Sequence, residues 1–112
     1  MPVVTMVGDT AFLELPLGRS ADNGDISVSF EAVTEDSRCP RGVQCVWAGN
    51  AAVRLTLESA DEAQSFVLST TLEPRRASFA GYAIDLRDLA PYPSEEPLDR
   101  EAYVVRIAVV RQ

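Results

Sequence analysis

The chain has 112 residues, no histidine and no lysine, so all ten of its basic residues are arginine; seventeen Asp and Glu leave a net charge of −7. Without His there is no Ser-His-Asp triad, no HExxH zinc helix and no imidazole switch near neutral pH. Without Lys there is no Schiff base and no Walker A phosphate loop. The acidic balance argues against nucleic acid or an anionic membrane as partner, because both require clustered positive charge.

The length fits a single domain, residues 1–112, which buries roughly two thirds of its unfolded surface. No apolar run approaches the ~20 residues that span a bilayer as a helix. The start, Met1 to Gly8, has no arginine before its apolar stretch, and that stretch is too short for a secretory leader. Residues 1–8 are therefore expected to be a flexible start, with Val3 to Val7 as a candidate extra strand.

Along the chain the apolar residues recur mostly at period two, the pattern of half-buried strands. Thr10 to Pro16 reads as the first strand. Asp22-Asn23-Gly24-Asp25 is a turn signal; it is reminiscent of a calcium loop but lacks the twelve-residue spacing and the closing Glu. Ile26 to about Thr34 follows as a strand, then the irregular stretch from Glu35 to Asn50. Ala51 to Glu58 alternates cleanly, with Val53, Leu55 and Leu57 on one face. Ser59 to Ala63 is a polar turn, with room for one helical turn between Ser59 and Gln64.

Gln64 to Thr71 and Ser78 to Leu86 are the next two strands, separated by a break around Pro74. Leu86 to Ala90 could form one helical turn. Asp88 to Pro97, with three prolines, reads as an exposed loop, and Glu101 to Arg111 as the last strand. The expected core is Phe12, Leu15, Ile26, Val28, Phe30, Val53, Leu55, Leu57, Phe66, Leu68, Tyr82, Ile84, Leu86, Val105, Ile107 and Val109. The expected fold is all-β: a six- to seven-stranded antiparallel sandwich or partly closed barrel with a disulfide-closed loop.

The two cysteines, Cys39 and Cys45, enclose Pro40, Arg41 and Gly42. The spacing suits a small disulfide ring: Pro40 fixes its own φ, and Gly42 can supply a positive φ. On the chain-entropy model, closing such a loop stabilises by roughly 2.4 kcal/mol. Buried free thiols are the alternative. A metal site fits less well, since two thiolates without His do not complete a zinc shell, and no metal or other cofactor is expected. A disulfide places the chain in the periplasm, at the cell surface or outside the cell, with any leader removed. If the protein were cytosolic instead, the thiols would be reduced.

Within that stretch, Asp36 can accept N–H bonds from the residues after it, and Arg38 can pair with Asp36, Glu35 or a more distant carboxylate. Gly49 and Asn50 tolerate left-handed backbone and turn the chain into the third of the long strands. Trp47, the single tryptophan, suits either packing on the disulfide or stacking on a ligand. Asp36, Pro40, Gly42, Gly49 and Asn50 are thus expected as loop scaffold. Arg38, Arg41 and Trp47 are the candidate binding surface. No catalytic residue is assigned. Cys39 has no His to act as its base. The acidic pairs Glu35-Asp36, Asp61-Glu62 and Glu95-Glu96 read as solvated charge, with a carboxylate-based hydrolase as a minor alternative.

Residues 36–40, Asp-Ser-Arg-Cys-Pro, followed by Cys45 and then Trp47-Ala48-Gly49-Asn50-Ala51, resemble a motif of small secreted bacterial β domains of uncharacterised function, many lipoprotein-like or attached to the cell envelope. Gly81-Tyr82 and Pro91-Tyr92-Pro93 also look like that group, and the resemblance extends over most of the chain, from about Phe12 to Val109. It implies an envelope or extracellular β domain with a disulfide loop, and no activity. The expected function is a non-enzymatic binding or structural accessory module for a protein or glycan of the envelope. The alternative is a small secreted protease inhibitor that presents the 39–45 loop, since a preorganised loop loses less entropy on binding.

Overall fold

A computed structural model describes residues 2–39, 49–91 and 102–112. Among them are nine strands: β1 (Val3–Val7), β2 (Thr10–Pro16), β3 (Ser20–Asp22), β4 (Ser27–Asp36), β5 (Ala51–Glu58), β6 (Ala63–Ser69), β7 (Arg76–Phe79), β8 (Tyr82–Ala90) and β9 (Val104–Arg111). They form two antiparallel sheets. The first has five strands in the order β1-β2-β9-β8-β7, and the second has four in the order β3-β4-β5-β6. The sheets do not close into a barrel, so of the two expected architectures the sandwich is the one observed. No helix among the described residues is long and apolar enough to cross a membrane.

Strand β5 shows how the pattern becomes packing. Val53, Leu55 and Leu57 are fully buried, while Arg54 and Glu58 between and beyond them are exposed. Period-two alternation puts one set against the opposite sheet and the other in water. From β4, Val28 and Phe30 meet Leu57 and Leu55 in register. From the five-stranded sheet, Leu13, Leu15, Ile84, Leu89, Val105 and Ile107 fill the other half of the core. Phe66 sits at the margin, part-buried, with its ring edge-on to Phe79 at 6.4 Å.

Several expectations require correction: the nine described strands exceed the six or seven expected, and Asp88–Ala90 belong to β8, with Leu89 fully buried, and not to an exposed loop. Phe12 is 37% exposed, whereas Ala11, Leu13 and Leu15 point inward. Residues 12 and 15 cannot share a face of a regular strand, and the parity of Leu13 and Leu15 decides. The fifth expected strand is two strands. Phe79 pairs with Tyr82 across Ala80 and Gly81, whose φ values of +50° and +84° form a two-residue hairpin. Alanine is an unusual residue for such a turn, so the break is hard to read from composition.

Leu86 to Ala90 is not a helical turn but the continuation of β8, in which a bulge at Arg87 resets the register between Leu86 and Asp88. Ser59 to Gln64 is likewise a non-helical turn, closed by the Ser59 hydroxyl accepting from the Asp61 and Glu62 amides. Of the two readings of the start, the extra strand Val3–Val7 is the one observed, paired with β2 along its whole length, and not a free segment. It is an edge strand, exposed throughout, with Val4 and Met6, which share the parity of Leu13 and Ala11, included.

The Asp22 to Asp25 signal is a hairpin turn. The Asp22 carboxylate accepts from the Gly24 amide, and the Asn23 side-chain oxygen accepts from the amides of Asp25 and Ile26.

Candidate functional site

The irregular stretch leaves the four-stranded sheet at the end of β4 and re-enters it at the start of β5. Asp36 pairs with Ala51 in the last rung of that ladder. Beyond it the strands continue as a neck. The Ser37 amide donates to the Asn50 carbonyl at 2.7 Å, and the Ser37 hydroxyl lies 3.1 Å from both the Asn50 amide and its carbonyl.

Gly49 makes this approach possible. Its φ is +74°, and a Cβ there would stand 2.3 Å from the Ser37 carbonyl oxygen and 2.7 Å from the Arg38 Cα. Both obstacles are backbone, so only glycine fits.

Asn50 is buried and uses both ends of its side chain. Its Oδ1 accepts from the Thr71 amide at 3.1 Å, the Thr71 hydroxyl at 3.0 Å and the Leu72 amide at 3.3 Å. Its Nδ2 donates to Glu35 at 3.1 Å. The neck is thereby fastened to the β6–β7 connection.

Arg38 fastens the other side of the neck. Its Nε and one terminal nitrogen donate to the two oxygens of Asp36, each at 2.8 Å. The guanidinium also donates to the carbonyls of Leu89 and Pro91 at the end of β8, in the opposite sheet. The Tyr103 hydroxyl, just before β9, donates to Asp36 Oδ2 at 2.6 Å. One ion pair, of a buried arginine and a part-buried aspartate, thus bridges both sheets and donates to two carbonyls at a strand end. Every buried side-chain nitrogen and oxygen among the described residues has a hydrogen-bond partner.

Burial pushes the Asp36 carboxyl up. The hydrogen bonds from Arg38 and Tyr103, with the Arg38 charge, outweigh that and hold it below the ordinary 3.8. At the opposite end of the sandwich a second tie joins the sheets. The Tyr82 hydroxyl donates to Asp25, and Arg111 lies over the Tyr82 ring and beside the same carboxylate.

The candidate residues therefore divide. Asp36, Gly49 and Asn50 lie where a loop scaffold requires them. Asp36 does form the expected turn with the Arg38 amide, though at a long 3.4 Å. Arg38 corrects an expectation: offered as binding surface, its side chain is only 5% exposed and donates to Asp36, Leu89 and Pro91. Cys39 is not a free thiol. Pro40, Arg41, Gly42, Cys45 and Trp47 lie outside the described residues, and so does the Cys39–Cys45 pairing as a closed loop.

Of the acidic pairs, Glu35 and Asp36 diverge: Glu35 holds Asn50, and Asp36 holds Arg38 and Tyr103. Asp61 and Glu62 sit exposed in the β5–β6 turn, and Glu95 and Glu96 lie outside the described residues. Among the described residues no three His, Cys, Asp or Glu side chains gather closely enough to hold a metal ion.

Tyr103, Ser37 and Thr71 are the residues that sequence reasoning did not single out. Tyr103 did carry a signal. It shares the inward parity of Val105, Ile107 and Val109, and a tyrosine buried on such a face needs a partner for its hydroxyl. No family model, no curated protein and no solved structure matches the chain.

Proposed function

We propose that this chain is a non-enzymatic binding module of the cell envelope or extracellular space, which presents the segment 40–48 to a protein or glycan. The observation that supports this is the neck. Arg38 on one side and Gly49-Asn50 on the other are each fixed by several hydrogen bonds to both sheets or to the β6–β7 connection. A segment held at both ends by rigid strands suits recognition, because less freedom is lost when a partner binds. Arg41 and Trp47 are the contact residues of this reading: a fork for carboxylate or phosphate and a stacking surface. Arg38 becomes their support. The Cys39–Cys45 disulfide belongs to the same reading and places the protein in an oxidising compartment.

Two measurements test it. Intact mass with and without reductant should differ by the two hydrogens of one disulfide; an unchanged mass removes the compartment argument. Binding to purified envelope glycans, or pull-down from an envelope fraction, should be lost in Trp47→Ala while the unfolding midpoint stays. A Trp47→Ala protein that binds like the parent ends the reading. The same fixed base would serve a protease-inhibiting loop around Arg41-Gly42. Inhibition of a trypsin-like protease, abolished in Arg41→Ala, would favour that outcome over glycan or protein docking.

A further inference from the structure

A polar groove of about 600 Å³ lies along β7 and β8, lined by Glu73, Arg75, Arg76, Asp85, Leu86 and Arg87. In a chain of net charge −7, three of the ten arginines meet here. Their arrangement follows from the strands. The Leu86 amide donates to the Arg75 carbonyl, which extends the β7–β8 ladder past Arg76 and Asp85. The bulge in β8 makes Arg87 the extra residue, and bulges re-aim side chains in this way.

Arg76 already has its partner. It closes a two-point pair on Asp85, with Nε on one oxygen and a terminal nitrogen on the other at 2.9 Å. Arg75 and Arg87 are exposed and make no ion pair among the described residues. Glu73 is turned to local use, since its carboxylate accepts from the Arg75 amide. The positive field of the groove is felt at Asp85. The Arg76 hydrogen bond lowers its carboxyl most, burial opposes this, and the charges of Arg76, Arg87 and Arg75 add to the lowering.

We infer that this groove is a binding site for a tetrahedral oxyanion, a phosphate or sulfate group on a ligand, held by the free forks of Arg75 and Arg87. The groove itself shows why a carboxylate is the weaker match. Of its two carboxylates, Asp85 is satisfied at both oxygens by a single guanidinium, and Glu73 accepts from the Arg75 amide and pairs with no guanidinium among the described residues. Two further forks call for an anion with more oxygens, and guanidinium geometry suits phosphate and sulfate. The rest of the molecule repels anions, so an anion retained at moderate salt is retained by this groove and not by general charge. None of the residues that line it falls in the 40–48 segment.

The test is an amide-resolved NMR titration with inorganic phosphate, with sulfate and with acetate. Phosphate and sulfate should shift the amides of Arg75, Leu86 and Arg87, with acetate clearly weaker. The double variant Arg75→Ala/Arg87→Ala should keep the unfolding midpoint and weaken phosphate binding by about tenfold or more. The control pair Arg19→Ala/Arg54→Ala, also without ion-pair partners among the described residues, and Trp47→Ala should bind as the parent does. Parallel titrations with pyrophosphate and with a sulfated oligosaccharide separate a phosphate ester from a sulfated glycan as the source of the anion. Acetate binding as well as phosphate, shifts scattered away from the groove, or equal loss in the control pair would each overturn the assignment.

Discussion

Arg38 stands two residues beyond Asp36, pairs with it at both oxygens, and from that position reaches the carbonyls of Leu89 and Pro91 in the other sheet. The ion pair is local in sequence, but its consequence is long-range. It joins the end of β4 to the end of β8, while Tyr103 brings the approach to β9 onto the same carboxylate. The base of the 40–48 segment is therefore part of the sandwich, and the expectations below follow from it.

Arg38→Ala leaves a part-buried carboxylate without its counter-charge and removes a donor from each of two carbonyls. Breaking such a pair from one side costs about 3–5 kcal/mol. Arg38→Lys keeps the charge but loses the fork, and should fall between Arg38→Ala and the parent. Equilibrium urea unfolding at neutral pH measures both. A loss below about 1 kcal/mol for Arg38→Ala, the size of an ordinary surface change, would show that the pair does not hold the sheets.

Tyr103→Phe removes one of the groups that hold the Asp36 carboxyl low. At neutral pH it should cost about 1–3 kcal/mol, as for a hydrogen bond to a charged group. The pH dependence has a fixed sign. A carboxyl whose folded pKa is depressed contributes stability that is complete above its unfolded value of 3.8 and is lost as pH falls through the folded value. In Tyr103→Phe the folded value moves back up, so less stability is lost on acidification. The gap between the two proteins should narrow between neutral pH and about pH 3. A gap that stays constant would mean that Tyr103 does not act through Asp36.

Gly49 and Gly18 form a controlled comparison. Both have positive φ, +74° and +83°, but a Cβ at Gly18 meets nothing within 4 Å, whereas at Gly49 it strikes backbone. Gly18→Ala should cost the conformational penalty alone, about 1–2 kcal/mol. Gly49→Ala must also part Ser37 from Asn50 and should cost at least about 3 kcal/mol in urea unfolding. Equal losses at the two positions would refute the close approach.

Asn50→Asp keeps an oxygen for Thr71 and Leu72 but sets a carboxylate against Glu35, where an amide now donates. At neutral pH the loss should be about 2 kcal/mol, as for a buried polar group left without a partner. Protonation of either carboxyl relieves the repulsion, so the variant should recover relative to the parent as pH falls. Thermal midpoints at neutral and acid pH read this directly. A variant that suffers equally at both would place Glu35 outside the neck.

The parts of the fold that were legible in the sequence are those with an unbroken period of two. Ala51–Glu58 reads correctly to the residue, because Val53, Leu55 and Leu57 alternate with polar partners and Asn50 and Ser59 bound the run. The Asp22–Asp25 turn reads equally well, since its side chains close it by local hydrogen bonds. Where β4 and β8 carry bulges, the period slips by one residue and pattern alone fails; that is why Leu86–Ala90 resembled a helical turn. The three-residue β3 of the four-stranded sheet is too short to show any period.

By itself, then, the sequence determined an all-β chain, its arginine-only positive charge, the exclusion of histidine and lysine chemistry, and the importance of the stretch between Glu35 and Asn50. Only the tertiary structure decided what the residues bounding that stretch do. Arg38 looks like a surface hook when read along the chain, because an arginine between Ser37 and Cys39 has no visible reason to be buried. Its reason lies 51 residues away in the Leu89 carbonyl and, through Asp36, in Tyr103. The same holds for the groove of Arg75, Arg76 and Arg87, which a hairpin and a bulge bring together. Hydrophobic period is a local property, whereas the partner of a buried charge, or the company of an exposed one, is set by which strands the sheets bring side by side.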